Sequence, residues 1–284
     1  MPYRLLALDV DGTLVNSRME ISPRTWAALN AVRARGIVTV IATGRARHSA
    51  AGWSRRIGGG PVICCNGGIV LDEQHRLLWA KAIPRTLLQR TLRLAREAGL
   101  IAQCYTPDGL YLDRTGSYLR SYISWVWRHS SLPAALRALG GFWRTNRVHS
   151  VRNLVTWAER PDLPPVVKVS IIGPTDALPG LGARLTAEMP GVEVVSSGPD
   201  NLEVTAAGVS KGSALELLAA RLRVPRESII AIGDSGNDVE MIKYAGVGVA
   251  MGNATDAARA VADRITTTCD EDGVVNALEG LGLL

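Results

Sequence analysis

Five short runs, apolar almost throughout, constrain this chain most: Arg4–Leu8, Ile37–Ala42, Pro61–Cys65, Ser228–Ile232 and Val247–Ala250. Strands without polar alternation are buried on both faces, which points to a parallel sheet covered by helices. The segments between them carry helix signals. Ser22-Pro23 reads as an N-cap followed by proline at the first helical position, and Gly36 ends that helix. Ser210 caps a helix running to Leu222, and further helices are read over Asp238–Ala245 and from Thr255. Strand, helix, strand in this order implies right-handed parallel crossovers. The expected fold class is α/β, a doubly wound parallel sheet.

Between the two sets of runs the pattern changes. An amphipathic helix over Arg85–Ala98 stops at Gly99, and Ile101–Tyr105, Leu110–Asp113, Val166–Ile172, Val192–Ser196 and Leu202–Thr205 read as antiparallel strands with one exposed face. A helix is expected around Ala177–Glu188, and 130–156 is the least readable stretch. The chain therefore divides into a split core, 1–83 with 206–284, around an inserted α+β cap, 84–205. Within the core, Asn66-Gly67-Gly68 closes the third run and Ile69–Asp72 reads as its short hairpin partner.

Four polar clusters stand where buried strands end or helices begin: Asp9 with Asp11, Thr43-Gly44-Arg45, Ser210-Lys211-Gly212, and Gly233-Asp234-Ser235-Gly236-Asn237-Asp238. Ligands of open parallel sheets bind beyond the carboxyl ends of the strands, so these clusters can meet in one crevice. Carboxylates at the end of an apolar strand add nothing to its burial and call for a cation. Mg2+, bound by a few carboxylates together with substrate phosphate and water, is the natural candidate.

In these residues the chain resembles the haloacid dehalogenase superfamily, in its Cof-like branch of phosphatases with a large C2-type cap. Asp9-Val10-Asp11-Gly12-Thr13 matches the first motif, Thr43 the second, Lys211 the third, and Gly233-Asp234 with Asp238 the fourth. The strand ending in Asn66-Gly67 and the tail Asp270-Glu271-Asp272-Gly273-Val274 also fit the branch. The resemblance implies Mg2+-dependent hydrolysis of a small phosphate monoester, a sugar phosphate or phosphorylated cofactor. Asp9 would be the nucleophile and Asp11 the general acid and base. The metal would be held by Asp9, the Asp11 carbonyl and Asp234, supported by Asp238. Thr43, Gly44, Lys211 and Asn237 would hold phosphate oxygens. Hinges for cap closure are expected near Ile83-Pro84 and Ala206-Ala207-Gly208.

Other polar residues read differently. Arg45 and Arg47 either approach substrate or solvate the start of the next helix, and His48 reads as an exposed helical residue. Asn66 and Asn253 are turn formers, while Asp72 and Asp256 suit a hairpin and a helix start. Two other readings stay open: a phosphomutase using the same aspartyl phosphate, and a non-catalytic binder of phospho-ligands or nucleic acid.

Charge bears on the last of these. Residues 118–160 hold Arg120, Arg128, Arg137, Arg144, Arg147, Arg152 and Arg160 against Glu159 alone, an excess equal to the chain's net charge of +6. Trp125, Trp127, Trp143 and Trp157 lie among them. These residues suit a solvated face over a packed cap, recognition of an anionic substrate, or stacking on single strands. No RNA-binding signature accompanies them, so a small phosphorylated metabolite rather than nucleic acid is the expected partner. No P-loop run is present. No apolar run nears the roughly 18 residues of a membrane helix, and no leader pattern opens the chain, so a cytoplasmic protein is expected. Cys64 and Cys65, adjacent in a strand and pointing to opposite faces, suit neither a disulfide framework nor a zinc site.

Overall fold

The computed structural model describes residues 3–113, 145–196, 198 and 200–284. They divide into two compact units, one within Met1–Arg45, Ala50–Ala80 and Gly208–Leu284, the other within Ala46–Ser49 and Lys81–Ala207.

In chain order the first elements are β1 (Leu5–Leu8), α1 (Pro23–Ala34), β2 (Val38–Ala42), α2 (Arg47–Arg56), β3 (Val62–Cys64), β4 (Ile69–Leu71) and β5 (Leu77–Ala80). The insert holds α3 (Arg85–Glu97), β6 (Ile101–Tyr105), β7 (Leu110–Leu112), β8 (Val148–Ser150), α4 (Leu154–Trp157), β9 (Lys168–Ile172), α5 (Leu178–Glu188), β10 (Val192–Val195) and β11 (Asn201–Ala206). The chain returns through α6 (Lys211–Leu222), β12 (Ile229–Gly233), α7 (Val239–Tyr244), β13 (Val247–Ala250), α8 (Asp256–Val261), β14 (Arg264–Ile265) and α9 (Gly273–Gly280).

The first unit is built on an eight-stranded sheet in the order β14-β13-β12-β1-β2-β3-β4-β5. The six strands from β14 to β3 run parallel, and β4 and β5 extend the edge antiparallel. Leu5 and Ala7 pack with Ala214, Leu215 and Leu218 of α6 and Met241 of α7. Leu6 and Leu8, equally buried, alternate to the opposite face. The capping signals act as read: Ser22 accepts from the Thr25 N–H and Pro23 opens α1. Strand order reverses between β1 and β12, and that reversal positions the site.

β5, β8, α4, β14 and α9 were not expected from the sequence. β14 is two residues long, and β5 is half exposed, so neither prints a strong pattern. Cys65 is not strand: it turns left-handed, with φ 53°, into a short turn over Cys65–Gly67. The helix expected from Asp238 is a tight turn over Gly236–Asp238 followed by α7.

The second unit has a six-stranded sheet, β10-β11-β9-β6-β7-β8. All its pairs are antiparallel except β7 with β8, which run parallel. Leu88 and Leu92 of α3 and Leu181 and Leu185 of α5 form one core with Cys104, Val169, Ile171 and Val204. The opposite sheet face is not exposed as expected. Its rows Gln103–Ser170–Glu203 and Tyr105–Lys168–Thr205 are polar, and all but Tyr105 are buried. An ion pair between Lys168 and Glu203, with the Lys168 ammonium 4.4 Å from the Tyr105 ring centre, makes that burial tolerable.

Of the basic stretch, Arg120, Arg128, Arg137, Arg144, Trp125, Trp127 and Trp143 lie outside the described residues. Trp157 is buried and stacks on Tyr111, and Arg160 pairs with Asp162.

Candidate active site

Register alone brings the motif residues together. Leu8 lies opposite Ile232 on one side and Ile41 on the other. One step further along β1 is Asp9, and two steps along the neighbours are Asp234 and Thr43. Three parallel strands therefore deliver three polar side chains to one edge, at the point where strand order reverses. Lys211 reaches the same edge from α6. Its helix is fixed by a reciprocal cap, in which the Ser213 N–H donates to the Ser210 hydroxyl and the Ser213 hydroxyl accepts from the Ser210 N–H. Gly67, with φ +94°, lets the preceding turn lie against that helix start, because a Cβ there would stand 2.1 Å from the Ser210 carbonyl oxygen.

Lys211 is 1% exposed, and its Nζ donates to Asp9 Oδ1 at 2.7 Å and Asp238 Oδ1 at 2.6 Å. The other Asp238 oxygen accepts from the backbone N–H groups of Asp234 and Ser235. Asp238 thus divides between Lys211 and its own turn. Asp9, Asp234 and Asp238 each offer an oxygen within 4.8 Å of the others. Thr13, whose hydroxyl donates to Asp234 Oδ1 at 2.8 Å, joins the first motif to the fourth.

The charges do not balance. Burial pushes the Asp9 carboxyl well above the usual range; Lys211 opposes this, and Asp238, Asp234 and Asp11 reinforce it. Asp234 is pushed up to about 7, first by burial and then by Asp238, with the Thr13 hydrogen bond and Lys211 pulling down. For Lys211, burial favours the neutral amine, but Asp238 and Asp9 outweigh it and hold the ammonium above the ordinary lysine value. One ammonium among three crowded carboxylates leaves room for a further cation. The donors are all hard oxygens, which suits Mg2+.

Asp11 is set apart from this cluster. Its side chain is half exposed and takes a two-pronged contact from Arg45, whose Nε donates to Asp11 Oδ2 at 2.8 Å. Arg45 thus lies against the side chain of the first motif. Its N–H donates to the Thr43 hydroxyl at 3.2 Å, and its guanidinium carbon lies 5.4 Å from the Trp53 ring centre. Gly44 stands between Thr43 and Arg45 at the same strand end. Asn237 is buried and donates to Asn66 Oδ1 at 3.1 Å, while its own Oδ1 accepts from Ser235.

Asn66 and Asn253, expected only as turn formers, also stand at the site. Asn66 is a turn former, with φ 56°, and it also carries the link to Asn237. Asn253 donates to the Gly12 carbonyl at 2.9 Å. Their position immediately after apolar runs was the available signal, and it is shared by ordinary turns. His48, expected to be exposed, is half-buried on α2.

Comparison with known proteins meets this geometry. The profile of the haloacid dehalogenase-like hydrolases matches residues 6–278. The phosphatase YwpJ of Bacillus subtilis is 30% identical, with 98% of this chain and 99% of that protein aligned. The 5-amino-6-(5-phospho-D-ribitylamino)uracil phosphatase YcsE of Bacillus subtilis is 29% identical over 97% of this chain and 94% of its own length. Among solved structures, a haloacid dehalogenase-like hydrolase from B. subtilis superposes with a TM-score of 0.86 at 27% identity, covering 98% of this chain and 99% of that one. With both halves of the split core inside the matched span and the motif residues gathered at one sheet edge, the chain belongs to the haloacid dehalogenase-like hydrolase family.

Proposed function

We propose that this hydrolase is a Mg2+-dependent phosphatase that cleaves a small phosphate monoester through an aspartyl phosphate on Asp9. The observation that carries the reading is the convergence of Asp9, Lys211, Asp234 and Asp238 at the switch point, with Thr43 on the next strand. Asp9, the Asp11 carbonyl and Asp234 would hold the cation, with Asp238 in support. When bound, it supplies positive charge that offsets repulsion between the carboxylates and a phosphate dianion.

The chain's own groups do the rest. An Asp9 oxygen bonds to phosphorus, the ester P–O bond breaks, and the departing oxygen takes the proton of the Asp11 carboxyl. Water then attacks the acylphosphate phosphorus and gives its proton to Asp11, and phosphate leaves as Asp9 is restored. Asp11 leaves Arg45 to do either. Lys211 holds Asp9 and, with Thr43, Gly44 and Asn237, the phosphate oxygens.

The substrate class is a sugar phosphate or a phosphorylated cofactor, supported by a relative named for a phosphorylated ribityl compound. A cytoplasmic site of action belongs to the same proposal; no described helix is long and apolar enough to cross a membrane. Phosphate release should be screened over sugar phosphates, nucleotides, pyridoxal phosphate and flavin mononucleotide, with and without Mg2+. Asp9→Asn should lower release by more than about a thousandfold while the protein stays folded. Full activity in that variant overturns the mechanism. An isomeric sugar phosphate in place of free phosphate identifies a mutase.

A further inference from the structure

Asn253 occupies the loop between β13 and α8, and that loop is braced on every side. Met251 N–H donates to the Gly233 carbonyl at 3.0 Å and Thr255 N–H to the Asp234 carbonyl at 2.8 Å. Arg259 folds back on the loop, its Nε donating to the Ala254 carbonyl at 3.0 Å and its Nη2 to the Gly252 carbonyl. The loop backbone is therefore tied to the strand end that carries Asp234. From this fixed point Asn253 Nδ2 donates to the Gly12 carbonyl at 2.9 Å, and its Oδ1 accepts from the Cys269 N–H at 2.9 Å.

Gly12 is the residue after Asp11, and it lies hard against Asp234. With φ +78° it has no room for a side chain: a Cβ would stand 2.5 Å from Asp234 Oδ2. Thr13, the next residue, donates to Asp234 Oδ1. The Asn253 amide thus holds the Gly12 carbonyl, one peptide past the Asp11 carbonyl, while the Gly12 Cα packs against Asp234. Asn253 is exposed, so water can replace it as a partner of the Gly12 carbonyl at little cost in stability. Water cannot replace its orientation. The Asp11 carbonyl lies in the adjoining peptide, and a carbonyl that has to point at a cation needs that neighbour held in place.

We infer that Asn253 is a positioning residue that fixes the loop from Asp11 to Thr13 for cation binding. The inference rests on the reading above, in which Asp9, the Asp11 carbonyl and Asp234 hold Mg2+. Asp270 supplies the control. It latches the same loop further along, accepting from the Ser17 N–H and hydroxyl at 2.9 Å each, and among the described residues no hydrogen bond joins it to Gly12 or Asp234.

The test is a calorimetric titration of the full-length protein with Mg2+ alone, together with the Mg2+ concentration that half-saturates phosphate release. Asn253→Ala, or Asn253→Ser if the alanine variant does not fold, should weaken Mg2+ binding about tenfold and raise the half-saturating concentration in parallel, while Asp270→Ala stays within about twofold of wild type. Unaltered Mg2+ affinity in the Asn253 variants, with affinity lost in Asp234→Asn, overturns the positioning role and leaves the proposed function standing. Equal weakening by Asp270→Ala also overturns it, since any latch would then serve. Unaltered affinity in Asp234→Asn overturns the cation site itself.

Discussion

Two lysines in this protein are equally buried, each 1% exposed, and they teach different things. Lys211, at the edge of the parallel sheet, is one cation among three carboxylates: it bonds Asp9 and Asp238, with Asp234 beside them. Lys168, on the antiparallel sheet, pairs with Glu203 and rests over the Tyr105 ring. Burial of a charge is common to both and distinguishes nothing. Charge balance does. The balanced pair stands as structure, whereas the unbalanced cluster calls for a further positive charge and suits transient occupation by a cation and an anionic substrate.

The largest effect should separate the two lysines. Lys211→Met and Lys168→Met should each destabilise by about 3–5 kcal/mol in urea unfolding, because each strands buried carboxylate charge. The double variant Lys168→Met/Glu203→Leu should recover to within about 1 kcal/mol of wild type, as expected where an ion pair serves only packing. Lys211→Met should also lower phosphate release more than about a hundredfold in the folded fraction. If the double variant at 168 and 203 stays as unstable as the single one, the contrast between the two lysines breaks.

A pH series sharpens the same contrast. Asp234 is raised from 3.8 to about 7, so without metal the folded protein holds a proton more tightly than the unfolded chain between those values. Its contribution to stability is present in full at and below the lower value and is lost as pH rises through the upper one. Added Mg2+ competes with that proton. The Mg2+-induced rise in Tm should therefore grow between about pH 5.5 and pH 8, and Asp234→Asn should flatten the growth. A rise independent of pH, or unchanged in the variant, removes Asp234 from the cation site. The smallest effect belongs to the half-exposed Arg45–Asp11 pair: Arg45→Gln should change unfolding stability by no more than about 1 kcal/mol. A larger loss would place Arg45 in the scaffold rather than beside the chemistry.

Legibility followed the range of the interactions. The apolar runs and capped helices of the core were readable because each is set by neighbours a few residues away: Ser22 caps the turn that begins at Pro23, and Leu5–Leu8 needs no partner to read as buried strand. Asp9, Thr43 and Asp234 stood out because each sits one or two steps past such a run. The contact of Arg45 with Asp11 was not readable, since the sequence offered only approach to substrate or solvation of the next helix start, and the two residues are 34 apart. Asn253 looked like a turn residue, and its partners Gly12 and Cys269 lie 241 and 16 residues away. In the insert, the alternation Lys168-Val169-Ser170-Ile171 correctly gave a strand and wrongly gave an exposed face, because the ion partner of Lys168 is on another strand.

What the sequence by itself determined is the alternation of buried strands with capped helices and which polar residues stand at the strand ends. These follow from side-chain periodicity and local hydrogen bonding, which act along the chain. Only the tertiary structure decided that Lys211 spans Asp9 and Asp238, that Arg45 holds Asp11, and that Asn253 grips the Gly12 carbonyl. Those contacts are charge pairings and hydrogen bonds effective only over a few ångströms, and strand order brings within that distance residues the chain keeps far apart.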